Sequence, residues 1–257
     1  MQPIYFQRGP MRRTFPTFWL SLLMLLPDLS GATETLRFGT FKNTDSPALQ
    51  VCEQVIREAY ARLGRRIEVE HLPAERSLYW AQSGRLDGDL CRGQQSDDLL
   101  QVPTALYQLQ LTAFSTRALP VSSWADLKPY KIAYERGMRS IQEHHELDLV
   151  AVNSIHSGIL LLQNNRVDIL LYDHVSVLYA ANEMNLSQPL DGQPIVIGIP
   201  ARHLLNKKHK ALIEPLNQAL QEMEKSGRIQ QIEEHVMARF MLDDAHRKQL
   251  EANAVEP

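Results

Sequence analysis

Nine histidines and two cysteines are the first residues in this 257-residue sequence that could do metal or nucleophilic chemistry. His144 and His145 are adjacent and flanked by glutamates, but neighbouring helix positions point about a hundred degrees apart, so the pair does not readily share one ion. Ser154 and His156 lack the glycine motif of a nucleophile elbow, and there is no phosphate-cradling glycine loop. The sequence therefore predicts no metal site, no cofactor and no catalytic residues.

Two junctions between predicted strands and helices are better candidates, because they suit the binding of a small molecule. Asp173 ends the segment ILLY and opens the next helix, where a carboxylate either caps the helix or faces a ligand. Gly137 ends another strand-like segment, and the backbone amides near Ser140 can receive a carboxylate at the helix N-terminus. Arg139, in the same turn, either adds a bidentate contact or is solvated. Open α/β sheets bind ligands beyond the carboxyl ends of their strands.

The composition is that of a globular protein with a real core. Hydrophobic residues make up 44% and charged residues 22% of the chain, which excludes disorder and fibrous repeats as the main architecture. Lysine and arginine number 27 against 30 acidic residues, and no long basic run is present, which argues against a nucleic-acid surface. Two cysteines are too few for a disulfide scaffold or a four-thiolate metal site.

Residues 1–32 are predicted to be a secretory signal peptide. Two arginines precede a largely apolar run at 15–26, and small residues then mark a cleavage site after Ala32. The run is too short for a membrane anchor, which needs about 20 residues. The start is either Met1 or Met11.

Removal of this leader takes away three arginines and one aspartate and leaves 225 residues with 24 basic and 29 acidic side chains. No later apolar stretch approaches membrane-spanning length. We therefore expect a monomeric protein in the periplasm, an oxidising compartment in which cysteines can pair.

Strand and helix signals alternate along the mature chain, which predicts an α/β fold with mostly parallel sheets flanked by helices. The predicted strands are 36–41, 67–71, 86–91, 131–134, 149–152 and 167–172, and the predicted helices are 47–63, 74–82, 139–147, 154–163, 174–181 and 210–227.

Extended apolar segments at 109–115 and 195–205 separate the two series and predict two lobes joined by two crossings. We assign 33–115 and 203–242 to lobe one, 116–202 to lobe two with the crossings, and 243–257 to a polar tail.

The two cysteines are predicted to lie at one rim of lobe one. Cys52 falls in the early turns of a helix that starts at the carboxyl edge of the sheet, and Cys91 falls at the carboxyl end of its own strand. Their convergence favours a disulfide, provided that the Cα atoms lie within about 7 Å. Two buried free thiols are the alternative.

Several segments of the chain resemble the bacterial extracellular solute-binding proteins of family 3, the periplasmic components of polar amino acid importers. The similar segments are LRFGT at 36–40, LPAERSLYWAQSGRLDGDLCR at 72–92, SWADLKPYKIAYERG at 123–137, SGILLLQNNRVDILLYD at 157–173, and the closing residues 203–232. The resemblance covers nearly the whole mature chain, and each motif is moderately specific. It implies a two-lobed type II periplasmic binding protein that closes on its ligand.

The resemblance also implies roles for the residues at the strand ends. Asp173 would pair with the amine of the ligand, and the turn containing Gly137 and Arg139 would receive its carboxylate. Family members usually carry an arginine a few residues after the strand that ends here at Cys91, and GQQSDDLL offers none. Arg92 is the nearest substitute, and Arg76 can reach the same rim from the preceding helix.

Aromatic residues are also fewer than the family pattern expects near Phe41. Tyr107 and Trp80 are candidates to stack on a ligand, although aromatic residues at such positions are commonly core. These departures leave dicarboxylates, opines and other small zwitterions open besides standard amino acids.

The preferred hypothesis is a binding protein that captures a small charged metabolite for an ABC permease without chemistry. One alternative is a sensory module that acts with a separate membrane receptor. Another is an enzyme resembling the periplasmic cyclohexadienyl dehydratases, with Glu75 or Asp173 as general acid.

Overall fold

A computed structural model of the chain describes residues 35–41, 46–93, 96–186 and 188–240. The predicted signal peptide at 1–32 and the predicted polar tail at 243–257 lie outside these residues. Among the residues described, no helix is both long enough and apolar enough to cross a membrane.

Eight strands form one sheet. They are β1 (Leu36–Phe41), β2 (Ile67–Leu72), β3 (Gly88–Arg92), β4 (Leu99–Ser115), β5 (Lys131–Glu135), β6 (Asp148–Val152), β7 (Ile169–Asp173) and β8 (Asp191–Asn206). The strand order is β2-β1-β3-β8-β4-β7-β5-β6. β1 pairs in parallel with β2 and β3, and β5 pairs in parallel with β6 and β7. The long strands β4 and β8 pair antiparallel with each other and join the two parallel groups.

Helices cover both groups of strands. They are α1 (Pro47–Arg62), α2 (Ala74–Gln82), α3 (Arg139–Gln142), α4 (Ile155–Gln163), α5 (His174–Glu183), α6 (Ile213–Lys225) and α7 (228–240, to the last residue described), with 3-10 turns at Trp124–Leu127 and Lys207–Leu212. Pro47 stands at the first position of α1, where its fixed φ and missing N–H are tolerated.

The hydrophobic core is divided into separate clusters along β4 and β8, the two strands that join the parallel groups. One cluster packs β1, β3, α1, α6 and α7, and it includes Leu109 of β4 and Ala201 of β8. A second cluster includes Leu111 and Ile199 and continues into β5 and β7. We call the two halves lobe one and lobe two. The predicted two-lobed α/β fold is thus confirmed.

Two helices are clearly shorter than the sequence predicts. Helix α3 ends at Gln142 instead of 147, because the chain must turn back within a few residues to start β6 at Asp148, and Leu147 is buried in that turn. The helix predicted at 210–227 begins at Ile213, after the 3-10 turn, with Pro215 in its first turn, where no backbone N–H is needed.

Candidate functional site

A cavity of about 830 Å³, counted together with its opening to solvent, lies where the strands cross between the lobes. It is lined by Phe41, Ser46, Ala48, Leu49, Cys52, Cys91, Arg92, Gly93, Leu109, Leu111, Gly137, Met138, Ser140, Tyr172, Asp173, Ser176, Ile199 and Ala201. Most of these side chains are apolar, and the charged ones are an arginine from lobe one and an aspartate from lobe two. An apolar cavity with a few polar groups is typical of a small-molecule site.

Arg92, the last residue of β3, supplies the cation and is only 2% exposed. Its Nε donates to Asp89 Oδ1 at 2.9 Å, and its Nη2 donates to Asp89 Oδ2 at 2.8 Å and to the Ala74 carbonyl oxygen at 2.9 Å. The guanidinium carbon lies 4.2 Å from the centre of the Phe41 ring. The buried Nη1 has no hydrogen-bond partner among the described residues, so one nitrogen of a fixed guanidinium is left for a ligand.

A bulge in β3 brings Asp89 and Arg92 together. Residues three apart on a regular strand point to opposite faces, but the pairing of β3 with β8 shifts register between Asp89 and Arg92. Ser77 of α2 also donates to Asp89 Oδ2, at 2.6 Å. Gly39 leaves room for that hydroxyl, because a Cβ there would lie 2.2 Å from Ser77 Oγ.

Asp173 supplies the anion from the opposite lobe. It ends β7, is 6% exposed, and caps helix α5 by accepting hydrogen bonds from Ser176 N at 3.1 Å and from Ser176 Oγ at 2.8 Å, both at Oδ2. Its Oδ1 is buried and has no hydrogen-bond partner within normal distance and angle limits among the residues described, although the backbone of Gln110 also acts on the carboxyl group. Burial raises the pKa of this carboxyl, while the bonds from Ser176 oppose the rise. A ligand cation at Oδ1 would therefore stabilise the ionised form.

A second buried acid lies beside the cavity in lobe two. Tyr172 donates its hydroxyl hydrogen to Glu135 Oε2 at the end of β5. Burial raises the pKa of Glu135, and the bond from Tyr172 and the charge of Arg92 oppose the rise. Burial and the neighbouring Glu135 both raise the pKa of Tyr172, so the phenol stays protonated and keeps donating. The charge of Arg92 thus acts on a carboxyl of the other lobe.

The two lobes contact each other at the cavity. Ser46 Oγ, before α1, lies 2.7 Å from Ser176 Oγ of α5 in a buried hydrogen bond. Gly137, with φ +97°, packs against the start of α2, where an added Cβ would lie 2.6 Å from the Ala74 Cβ. Ala74 is also the residue whose carbonyl oxygen accepts from Arg92. The lobes are therefore closed on each other around Arg92 and Asp173.

The predicted disulfide forms part of the cavity wall. Cys52 of α1 and Cys91 of β3 are bonded, with their Cα atoms 6.1 Å apart. The disulfide links α1 to the residue directly before Arg92, and its two cysteines are 39 positions apart in the sequence.

Three of the six predicted ligand residues line this cavity, namely Arg92, Gly137 and Asp173. The other three, Arg76, Tyr107 and Arg139, do not. Arg76 of α2 and Arg139 of α3 are exposed, and Tyr107 is buried in the core of lobe one. The assignment of these three residues to the ligand therefore stays a prediction from the sequence.

Sequence reasoning missed the residues that fix the charged groups, which are Asp89, Ser77, Ser176 and Glu135. The sequence does show an acid, Asp89, three residues before Arg92, but the two side chains can pair only because of the bulge in β3. Among the residues described, no group of three or more histidine, cysteine, aspartate or glutamate side chains could hold a metal ion.

Comparison of the sequence with known proteins gives one distant relative. No family model matches the chain. An uncharacterized protein of Shewanella oneidensis strain MR-1 is 25% identical over 201 residues, which cover 73% of this chain and 76% of that protein.

Comparison of the structure shows the fold. The substrate binding protein of an amino acid ABC transporter matches with a TM-score of 0.63 at 16% identity, over 77% of this chain and 97% of that one. A histidine kinase sensor domain with similarity to periplasmic binding proteins matches with a TM-score of 0.65 at 18% identity, over 80% and 96%. The chain therefore has the two-lobed fold of periplasmic binding proteins.

Proposed function

We propose that this protein is a periplasmic solute-binding protein that captures a small charged metabolite, an amino acid or a related compound, for an ABC importer. The observation that carries the proposal is a pair of complementary groups at one cavity. Arg92 Nη1 in lobe one and Asp173 Oδ1 in lobe two are both buried and both lack a hydrogen-bond partner among the described residues. Buried polar groups are normally paired, so these two atoms mark the places that a solute would fill.

In this proposal the amine of the solute binds Asp173 and an oxygen of the solute accepts from Arg92. Because the two residues belong to different lobes, a solute gains both contacts only when the lobes are closed. Contacts available only in the closed state shift the equilibrium toward it. The named structural neighbours, one from an amino acid ABC transporter and one a sensor domain, support a binding role, and the importer is the partner we propose.

Export and lobe limits belong to the same proposal. We propose that residues 1–32 are removed on export, that 33–115 with 203–242 form lobe one, and that 116–202 form lobe two. The change of core cluster between Leu109 and Leu111 and between Ile199 and Ala201 supports two crossings near those limits.

The test is a thermal-shift screen of amino acids, their amides and small amines, followed by calorimetric titration of Asp173→Asn. A solute at about a hundred times its dissociation constant stabilises a protein by about 2.7 kcal/mol. Asparagine still caps a helix, so the variant should fold, yet it should bind amines at least about thirtyfold more weakly because the buried charge pair is lost.

The matched control is Asp126→Asn. Asp126 also accepts hydrogen bonds from neighbouring serines in lobe two, but it is only partly buried and is not among the residues that line the cavity. The Asp126→Asn variant should bind the same compound with unchanged affinity. Binding by Asp173→Asn as tight as that of the control would refute the proposal.

A further inference from the structure

The guanidinium of Arg92 is already neutralised within lobe one. Two of its nitrogens donate to the carboxylate of Asp89, and the side chains of the pair are 2% and 0% exposed. The pair carries no net formal charge, so Asp89 weakens the attraction of Arg92 for an anion, although the charge of Arg92 still acts on Glu135 of lobe two. Asp173 makes no ion pair among the described residues: its carboxylate accepts from the amide and the hydroxyl of Ser176, and the backbone of Gln110 and the ring of His174 also act on it.

Among the described residues, the formal charges at the cavity wall therefore sum to a negative value. Arg92 and Asp173 are the charged residues among the described side chains that line it, and Asp89 cancels the first of them. Glu135, behind Tyr172, adds no positive charge.

The free donor of Arg92 is a single nitrogen. Nε is used by Asp89, and Nη2 is used by Asp89 and by the Ala74 carbonyl oxygen. A carboxylate bound in the bidentate mode needs two neighbouring nitrogens of the fork. Only Nη1 is left, so Arg92 can donate to a solute from one nitrogen and cannot bind a carboxylate in the bidentate mode.

Resting on the proposed function, we infer that the solute is a cation: a primary amine whose second polar group is a neutral acceptor, such as an amide or ester carbonyl. Its ammonium group supplies the charge that Asp173 lacks, and its carbonyl oxygen accepts from Arg92 Nη1. A free carboxylate would add an anion to a buried wall that is already net negative, where burying an uncompensated charge is costly. Dicarboxylates, which the sequence left open, are disfavoured twice, because they lack the amine and bring two anions.

The test compares free acids with their amides at the same side chain. The purified protein is titrated by calorimetry with the L-amino acids leucine, phenylalanine, glutamine and lysine, with the four corresponding amides, and with glutarate. For each side chain that binds, the amide should bind at least about tenfold more tightly than the acid, and glutarate should not bind. Affinity for the amide should fall at least about thirtyfold in both Arg92→Met and Asp173→Asn.

The outcomes separate this inference from the function on which it rests. If the free amino acids or glutarate bind more tightly than the amides, and still require Arg92 and Asp173, the cationic solute is wrong and the binding function stands. If none of the compounds binds, or if binding ignores both residues, the proposed function fails as well.

A variant of Asp89 tests the charge argument directly. Asp89→Asn frees the charge of Arg92, so the preference for the amide over the acid should fall at least about tenfold. An unchanged preference in the folded variant would overturn the argument, and if the variant does not fold, the titrations of the unchanged protein decide. Glu53→Gln is the control, because it breaks an exposed ion pair with Arg57 in the same lobe and should leave the preference unchanged.

Discussion

Removing the carboxylate of Asp89 should destabilise the protein far more than removing a surface acid. In Asp89→Asn the guanidinium of Arg92 stays buried and loses its counter-charge. The carboxylate accepts from Arg92 Nε at 2.9 Å, from Arg92 Nη2 at 2.8 Å and from Ser77 Oγ at 2.6 Å. The asparagine amide fills the same volume, so the change isolates charge from packing.

The expected loss of unfolding free energy is about 3–5 kcal/mol. Breaking a buried ion pair by removing one partner costs about that much, because the other charge is left uncompensated. The surface pair of Glu53 and Arg57 has side chains 26% and 45% exposed, and an exposed helix pair contributes only about 0.3–0.5 kcal/mol. Glu53→Gln is therefore the matched control.

Urea unfolding followed by circular dichroism measures both variants, with Arg92→Met and the double variant completing a cycle. The double variant should be more stable than the sum of the two single losses predicts, by at least about 2 kcal/mol, since neither charge then remains buried alone. Asp89→Asn losing no more than Glu53→Gln would refute the idea that Asp89 compensates Arg92.

Two further predictions concern lobe one. Replacing Cys52 and Cys91 together with serine should lower the unfolding free energy by about 4 kcal/mol, because the bond closes a loop of 39 residues in the unfolded chain; a loss below about 1 kcal/mol in urea unfolding would contradict this. Burial lowers the pKa of His203 from 6.5 to about 4, so between those values the unfolded chain binds a proton that the folded protein does not. The unfolding free energy should therefore fall by about 3 kcal/mol as the pH drops from about 6.5 to about 4. Urea unfolding at several pH values should show a weaker pH dependence for His203→Gln than for the unchanged protein. Equal slopes in the two proteins would show that His203 does not cause the pH dependence.

Local sequence signals predicted most elements of this fold. Helix α2 has the predicted limits, because Pro73 precedes it and Gly84 follows its last turn. The limits of β4 were missed: the strand begins at Leu99, ten residues before the predicted segment. Its extent is set by pairing with β8 along almost its whole length, and such pairing joins residues about a hundred positions apart, which no local pattern records.

The site was predictable where a residue's role follows from its place at a strand end. Asp173 and Gly137 were found in that way. The choice between Arg76 and Arg92 was not predictable, because it depends on the rotation of α2, which buries Ser77 and Leu78 and leaves Arg76 in solvent. The pairing of Arg92 with Asp89 was not predictable either, because two residues three apart on one strand share a face only where a bulge shifts the register.

The buried charge at the cavity is paired in lobe one and unpaired in lobe two, and in the proposed function this difference gives each lobe a separate part in capturing the solute. Lobe one holds an arginine whose charge Asp89 balances before any solute arrives, so its site is preformed and contributes a directed donor. Lobe two holds Asp173, a buried acid whose pKa burial raises and whose cation must come from outside. An amine that reaches Asp173 therefore does more than fill a cavity: it stabilises the ionised carboxylate within the closed protein. Closure is then favoured by a charge that only the solute supplies, which is why the acid of lobe two, more than the arginine of lobe one, should decide whether a compound is captured.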